Sequence, residues 1–365
     1  MIRALLVDDE APARARLRAL LEELGEVVVV AEAADADEAR RQVIAATPDV
    51  VFLDIEMPGE RGTELAASLP EPRPFVVFAT AFERFAVEAF QVEATDYLLK
   101  PVTRPRLRAS VTRMREKLER RRDAARELDA AVQAQAHLLP RGLPSGPGFD
   151  FGGRTEAARG VGGDFFDALA VDGQVAFVLG DVAGKGVAAG LVASSVHARW
   201  QAAVRSHDLA LAELMRRLND DMLASTEPGR FATLVHGVLD PASGTVQFVN
   251  AGHPPAMRVA ADGTWTTDFA ATAPAVGLFD RAGFEAGSCR LEPGDTVIFS
   301  SDGVTEALNA AGDELPMTRI AELVTAATRH DAAALAEDVL ALVHRHRGSA
   351  APQDDATVLV LRRTP

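Results

Sequence analysis

Between Arg104 and Leu139 the chain contains no glycine, and its single proline, Pro105, stands at the start of the stretch. Arg, Glu and Ala dominate, so the stretch reads as one long helix. It stops at Pro140, and Arg141–Gly148 (RGLPSGPG) is a Gly/Pro breaker. The two regions it separates follow different patterns.

Before the helix, short apolar runs alternate with amphipathic segments. The runs are Ile2–Val7, Val27–Val30, Val50–Leu53, Phe75–Ala79 and Tyr97–Leu99, and the helical patterns are Ala11–Leu24, Ala36–Ala46, Gly62–Leu69 and Glu83–Gln91. This predicts a small doubly wound α/β domain around five parallel strands. After the breaker, strand-like runs (Val175–Gly180, Thr233–Leu239, Thr245–Asn250, Asp295–Ser300, Thr357–Leu361) come in hairpin-like groups. They stand apart from helical patterns at Ala188–Ser206, Leu209–Leu223, Thr318–Thr328 and Ala332–His346, which predicts a layered α+β domain. The expected domains are therefore 1–103, a helical linker 104–139, and 140–365.

The net charge of −15 repels a nucleic-acid backbone, so DNA or RNA is not an expected partner. A lone cysteine, Cys289, forms no internal disulfide and no thiolate metal cage; it is expected to be a small core or edge residue. No run of 18 apolar residues occurs and MIRALLVDDE is not a signal peptide, so a cytoplasmic location away from the membrane is expected.

In the first region Asp8 and Asp9 follow the first strand, Asp54 the third, Thr80 the fourth and Lys100 the fifth. The carboxyl ends of parallel strands converge, and ligands bind there. Three carboxylates in one crevice need a hard cation such as Mg²⁺. With that ion and Lys100 cancelling charge, Asp54 can attack a phosphoryl group and Thr80 can hydrogen-bond its oxygen. VDDE, LDIEMPGERG, FATAF and DYLLKP together resemble the response-regulator receiver domain, over about Met1–Thr103, in the type usually joined to LytTR outputs. The resemblance implies Asp54 as phosphoacceptor for a sensor histidine kinase. It also implies Asp8, Asp9 and the Glu56 carbonyl as Mg²⁺ ligands, and Thr80, Tyr97 and Lys100 as switch residues.

In the last region five segments stand out: GGDFFD (Gly162–Asp167), GDVAGKG (Gly180–Gly186), NAGHPP (Asn250–Pro255), SSDGVTEA (Ser300–Ala307) and QDDATV (Gln353–Val358). Carboxylates from distant segments with few histidines suggest Mg²⁺ or Mn²⁺. Two such ions about 4 Å apart clamp a phosphate ester. The segments resemble PPM-type metal-dependent protein serine/threonine phosphatases of the SpoIIE-like bacterial branch, over about Ala134–Arg362, as does the lead-in QAQAHLLP. That resemblance implies an α/β/β/α sandwich, two Mn²⁺ or Mg²⁺ ions, and Asp181 as bridging ligand with the Val182 carbonyl. Asp164, Asp302 and Asp354 complete the acids, with Asp355 an alternative to its neighbour. It also implies a phosphoserine or phosphothreonine protein as substrate, of the STAS-type anti-sigma-factor antagonists. A pseudo-phosphatase adaptor that binds without catalysis is the alternative reading.

No segment plainly supplies a substrate-phosphate arginine; Arg154 and Arg159 are the candidates. GDVAGKG lacks P-loop spacing, so Lys185 is expected to be a solvated loop lysine, and His253 a structural residue at the site edge. Trp200 and Trp265 are expected to pack. In the long helix Val111, Leu118, Ala125, Val132 and Leu139 alternate with Met114, Arg121, Leu128 and Gln135 at 3-4 spacing. This predicts a marginal coiled coil holding a homodimer, or an amphipathic helix lying on its own domain. The ten basic residues against three acidic ones over Arg104–Arg126 read as a solvated helix surface.

Overall fold

The computed structural model describes residues 1–85, 92, 94–207, 210–327 and 331–364. Contacts divide the chain into two compact units, Met1–Arg126 and Glu127–Pro365.

In the first unit strands β1 (Ile2–Val7), β2 (Val27–Ala33), β3 (Val50–Leu53), β4 (Phe75–Thr80) and β5 (Asp96–Leu99) form one parallel sheet in the order β2-β1-β3-β4-β5. Helices α1 (Ala11–Leu24), α2 (Ala36–Ala46) and α3 (Gly62–Ala67) supply crossovers. Covered strands are apolar on both sides: all of β3 (VVFL) is buried. Val51, Leu53 and Phe78 pack with Val43 and Leu65 on one face. On the other, Leu6, Phe52 and Val77 pack with Leu17, Leu21 and the long helix α4 (Arg104–Leu138) through Val111, Met114 and Leu118. These three heptad positions therefore face the unit's own sheet rather than a second chain. The cause is the sheet, whose second face would otherwise be half bare.

The basic residues of α4 are not simply solvated. Arg104 pairs with Glu23, Arg106 and Arg113 with Asp96, Arg115 with Glu26 and Arg122 with Asp49. Each exposed pair contributes little, but five along one helix fix its rotation on the sheet. Of the helix expected at Glu83–Gln91, Glu83–Phe85 is a 3-10 turn and the rest lies outside the described residues.

The second unit holds two antiparallel sheets. One contains β8 (Asp164–Val171), β9 (Gln174–Val182), β10 (Ala232–Asp240), β11 (Thr245–Ala251) and β14 (Gly287–Arg290), in the order β14-β11-β10-β9-β8. The other contains β6 (Ser145–Gly146), β7 (Phe149–Glu156), β12 (Ala256–Val259), β13 (Trp265–Asp268), β15 (Thr296–Ser300) and β16 (Ala356–Arg362), in the order β13-β12-β15-β16-β7-β6. Strand alternation divides the core. Along β9, Val175, Phe177 and Leu179 point between the sheets, against Phe151, Phe299 and Leu359. Ala176, Val178 and Val182 point outward, to α5 (Val187–Arg205) and α6 (Leu211–Ser225). On the second sheet's outer face Ile298, Val358 and Val360 pack with α8 (Met317–Ala326) and α9 (Ala332–Arg347); α7 (Asp302–Thr305) is a single turn. The layers run α/β/β/α. Trp200 is wholly buried, Trp265 is exposed, and Cys289 is half-buried on the edge strand β14.

The end of α4 belongs to this unit. Val132 and Leu128 flank Gly160, and Leu139 just beyond packs against the α5–α6 core.

Candidate functional site

The first unit gathers Asp8, Asp9 and Asp54 with ligand atoms within 4.8 Å of one another. Asp8 and Asp54 are buried and Asp9 is exposed. Lys100 Nζ lies 2.7 Å from Asp8 Oδ2 and 2.5 Å from Asp54 Oδ2. Burial opposes the Lys100 charge, but hydrogen bonds to Asp54 and Asp8 outweigh it and hold the ammonium above its ordinary range. Asp54 Oδ1 accepts from the backbone N–H groups of Ile55 (2.6 Å) and Glu56 (3.3 Å), which fixes the orientation of the carboxylate. Thr80 is fully buried at the end of β4 and its hydroxyl has no partner, a donor ready for a phosphoryl oxygen. Tyr97 donates from its phenol to the Phe82 carbonyl. The Glu56 side chain turns to Arg84 (2.7 Å), whose guanidinium lies over the Phe82 and Phe85 rings.

In the second unit Asp164 and Asp181 stand opposite each other on paired strands β8 and β9. Asp302 opens α7 directly after β15, and Asp354 precedes β16. Asp302 comes close to the Asp354–Asp355 segment only because the next residue is glycine: a Cβ on Gly303 would lie 2.0 Å from the Asp355 carbonyl oxygen. The Val182 carbonyl is packed against Gly163, where a Cβ would stand 2.7 Å from it.

Of these acids Asp354 is paired with Lys185 (2.8 Å), and the other three press charge on one another. Asp164 is 4% exposed and its Oδ2 has no partner. Burial, then the charge of Asp181, drives its carboxyl well above the ordinary range. Burial and then Asp302 push Asp181 up to about 6. Asp302 is raised by burial and by Asp354. An orphaned buried carboxylate oxygen among mutually raised acids is the donor set of a divalent cation, so the residues fit one. Among the described residues no three of these acids bring ligand atoms within 4.8 Å, as the receiver trio does.

The neighbours Asp354 and Asp355 are placed differently. Asp355 is buried, and its two oxygens accept from the N–H groups of Ala158 and Gly163 (2.7 Å each), so it ties down the loop before β8. Asp354 is half-exposed and faces Lys185 at 2.8 Å. Lys185, expected to be solvated, is thus ion-paired, and it also donates to the Gln353 carbonyl. Arg154 is exposed and pairs with Glu337 on α9, and Arg159 is exposed. His253 is 2% exposed, bonds Thr233 through Nδ1 (2.9 Å) and is lowered to about 4 by burial, so it is neutral near pH 7. Asn250 holds its backbone from both sides, so His253 is structural.

Sequence reasoning missed one residue. Gln135, placed in the expected seam, grips the metal motif instead. Its amide donates to the Gly162 carbonyl (2.7 Å) and accepts from the Gly162 N–H (3.0 Å), two residues before Asp164. Two polar amides among the alanines of QAQAHLLP, Gln133 and Gln135, were the available signal.

Residues 171–364 match the family described as Stage II sporulation protein E (SpoIIE), and residues 4–112 match the response regulator receiver domain. Among curated proteins the chain is similar to the transcriptional regulatory protein BtsR of Escherichia coli (strain K12). The two are 45% identical over 117 residues, 32% of this chain and 49% of that protein. The chain thus spans about half the length of the curated relatives it matches. Among solved structures it is similar to the RsbU and RsbW domains of Rv1364c from Mycobacterium tuberculosis (TM-score 0.53, 29% identity, 62% of this chain and 63% of that one). The SiaA-PP2C domain of Pseudomonas aeruginosa shares the fold (TM-score 0.57, 21% identity, 66% and 98%).

Proposed function

The chain belongs to the SpoIIE family, and from that premise we propose that it is a metal-dependent protein serine/threonine phosphatase whose rate is set by phosphorylation of Asp54. The observation that carries the reading is the set of uncompensated acids, Asp164, Asp181 and Asp302, beside Asp354. Asp164, Asp181, the Val182 carbonyl, Asp302 and Asp354 would hold the two ions, with Asp181 shared between them in this reading. Bound ions supply a nucleophile at neutral pH and neutralise the phosphoryl oxygens. The protein's share is to fix the acids: Asp355 and Gln135 brace the loop that leads into Asp164, and Gly303 brings Asp302 near Asp354.

In the receiver, Asp8, Asp9 and the Glu56 carbonyl hold Mg²⁺, and a sensor histidine kinase supplies the phosphoryl group to Asp54. Thr80 and Lys100 then engage the new oxygens and Tyr97 follows. The change reaches α4 through Asp96, which neighbours Tyr97 and is held by Arg106 and Arg113. Gln135 stands at the far end of the same helix, on Gly162. The substrate in this reading is a phosphorylated STAS-type anti-sigma-factor antagonist, supported by the family and by the RsbU-containing relative. The domains are 1–103, the linker helix 104–139 and 140–365. Two chains pair as a homodimer through α4 surface that the receiver leaves open, such as Leu128. Among the described residues no helix is long and apolar enough to cross a membrane.

The test is hydrolysis of p-nitrophenyl phosphate and of a phosphoserine protein with Mn²⁺, against Asp181→Asn. Activity that needs Mn²⁺ and falls at least about a hundredfold in the variant supports the reading. Tight phosphoprotein binding with no turnover would make the chain an adaptor.

A further inference from the structure

Among the described residues Lys185 is the cation in direct contact with the phosphatase acids. Lys185 lies in the turn between β9 and α5, flanked by Gly184 (φ 108°) and Gly186 (φ 75°). Both glycines hold left-handed backbone that a side chain would strain, so the turn has a defined path and carries Lys185 toward Asp354. Its ammonium sits 2.8 Å from Asp354 Oδ2, and its charge also acts on Asp302, opposing the rise there. Lys185, Asp302, Gly303, Glu306, Arg347 and Asp354 line one recess of about 110 Å³.

A divalent ion on Asp354 takes the charge that Lys185 now answers. The ammonium then faces a neutralised partner beside an open recess. Lysine has a flexible four-carbon stem and three donors, so it can turn without moving the backbone. A phosphate monoester brings two negative charges to this place. Arg154 is held by Glu337 and Arg230 donates to the Ala183 carbonyl (3.1 Å), while Arg347 lines the same recess without touching the acids' ion pair.

We propose that Lys185 is the substrate-phosphate contact of this phosphatase, parked on Asp354 until a metal ion takes that carboxylate and then released to the phosphate entering the recess. This rests on the metal-dependent reading of the site. Metal and phosphate thereby bind with positive coupling, since the ion frees the residue that the anion needs.

The test is calorimetric, on the full chain. Mn²⁺ is titrated into metal-free protein, then inorganic phosphate into the Mn²⁺-loaded protein, for wild type, Lys185→Met and Lys185→Arg. The Met variant should bind Mn²⁺ at least about threefold more tightly, because a repelling charge and a competing ion pair are gone. It should bind phosphate at least about fivefold more weakly, and Arg should restore most of that loss. Unchanged phosphate affinity in the Met variant, or Mn²⁺ affinity unchanged or weakened, overturns the proposal. Wild type that takes up no Mn²⁺ overturns the phosphatase reading, and this proposal with it.

Discussion

Asp181 titrates near 6 in the folded, metal-free protein, against 3.8 for an ordinary aspartate. Because the folded value is raised, the native state binds the proton more tightly than the unfolded chain, and stability from this group falls as pH rises from about 4 to 6. Asp181→Asn removes that loss. In EDTA the variant should melt above wild type at pH 7.5, with the gap closing below about pH 5; thermal melts across this range check it. Saturating Mn²⁺ should reverse the order at pH 7.5, since only wild type keeps the full ligand set. Neighbouring residues separate by the same logic. Asp354→Asn should weaken Mn²⁺ binding and leave the melt in EDTA nearly unchanged. Asp355→Asn sets an amide donor against buried N–H groups and should cost about 1–3 kcal/mol of stability. Asp164, Asp181 and Asp302 were legible in the sequence because each sits beside glycine at a strand end, and Asp354 because it precedes the apolar run ATVLVL. The division of labour between Asp354 and Asp355 was not, since it depends on which carboxylate meets the 158–163 loop, some 190 residues away.

Helix α4 shows what periodicity can and cannot say. Its 3-4 stripe was plain, and so was its length. What the stripe packs against was not, because a heptad facing another chain and a heptad facing a sheet use the same residues. Leu118 is 5% exposed against the receiver sheet, and Leu128 is 39% exposed. Leu118→Asp should therefore lower receiver stability by about 3 kcal/mol or more, while Leu128→Asp leaves it unchanged. Urea unfolding of the two variants decides. If Leu118→Asp only weakens association, the helix is a coil between chains. Gln135→Ala removes two hydrogen bonds from Gly162 and should loosen Mn²⁺ binding about threefold or more, read by calorimetry. Strands β7, β8, β12 and β13 escaped the sequence reading for physical reasons. Gly152–Gly153 interrupts alternation in β7, the start of β8 is buried at successive positions, and β12 and β13 have four residues each.

For the whole molecule the parts have a single combined use. The receiver carries Asp54 beside Lys100 and the unpartnered Thr80 hydroxyl, and the SpoIIE-family unit carries a set of acids with raised carboxyls. One helix belongs to both, and it ends in a grip on the metal motif. Regulation through it requires two arrangements of the helix that differ in free energy and are biased by Asp54 phosphorylation. The direct measurement is the Mn²⁺-dependent rate on a phosphoserine protein, before and after treatment with acetyl phosphate and Mg²⁺, for wild type and Asp54→Asn. A receiver-controlled phosphatase changes its rate severalfold on phosphorylation in wild type, shows no change in Asp54→Asn, and loses all turnover in EDTA. An equal rate in phosphorylated and unphosphorylated wild type, or turnover that survives EDTA, contradicts it.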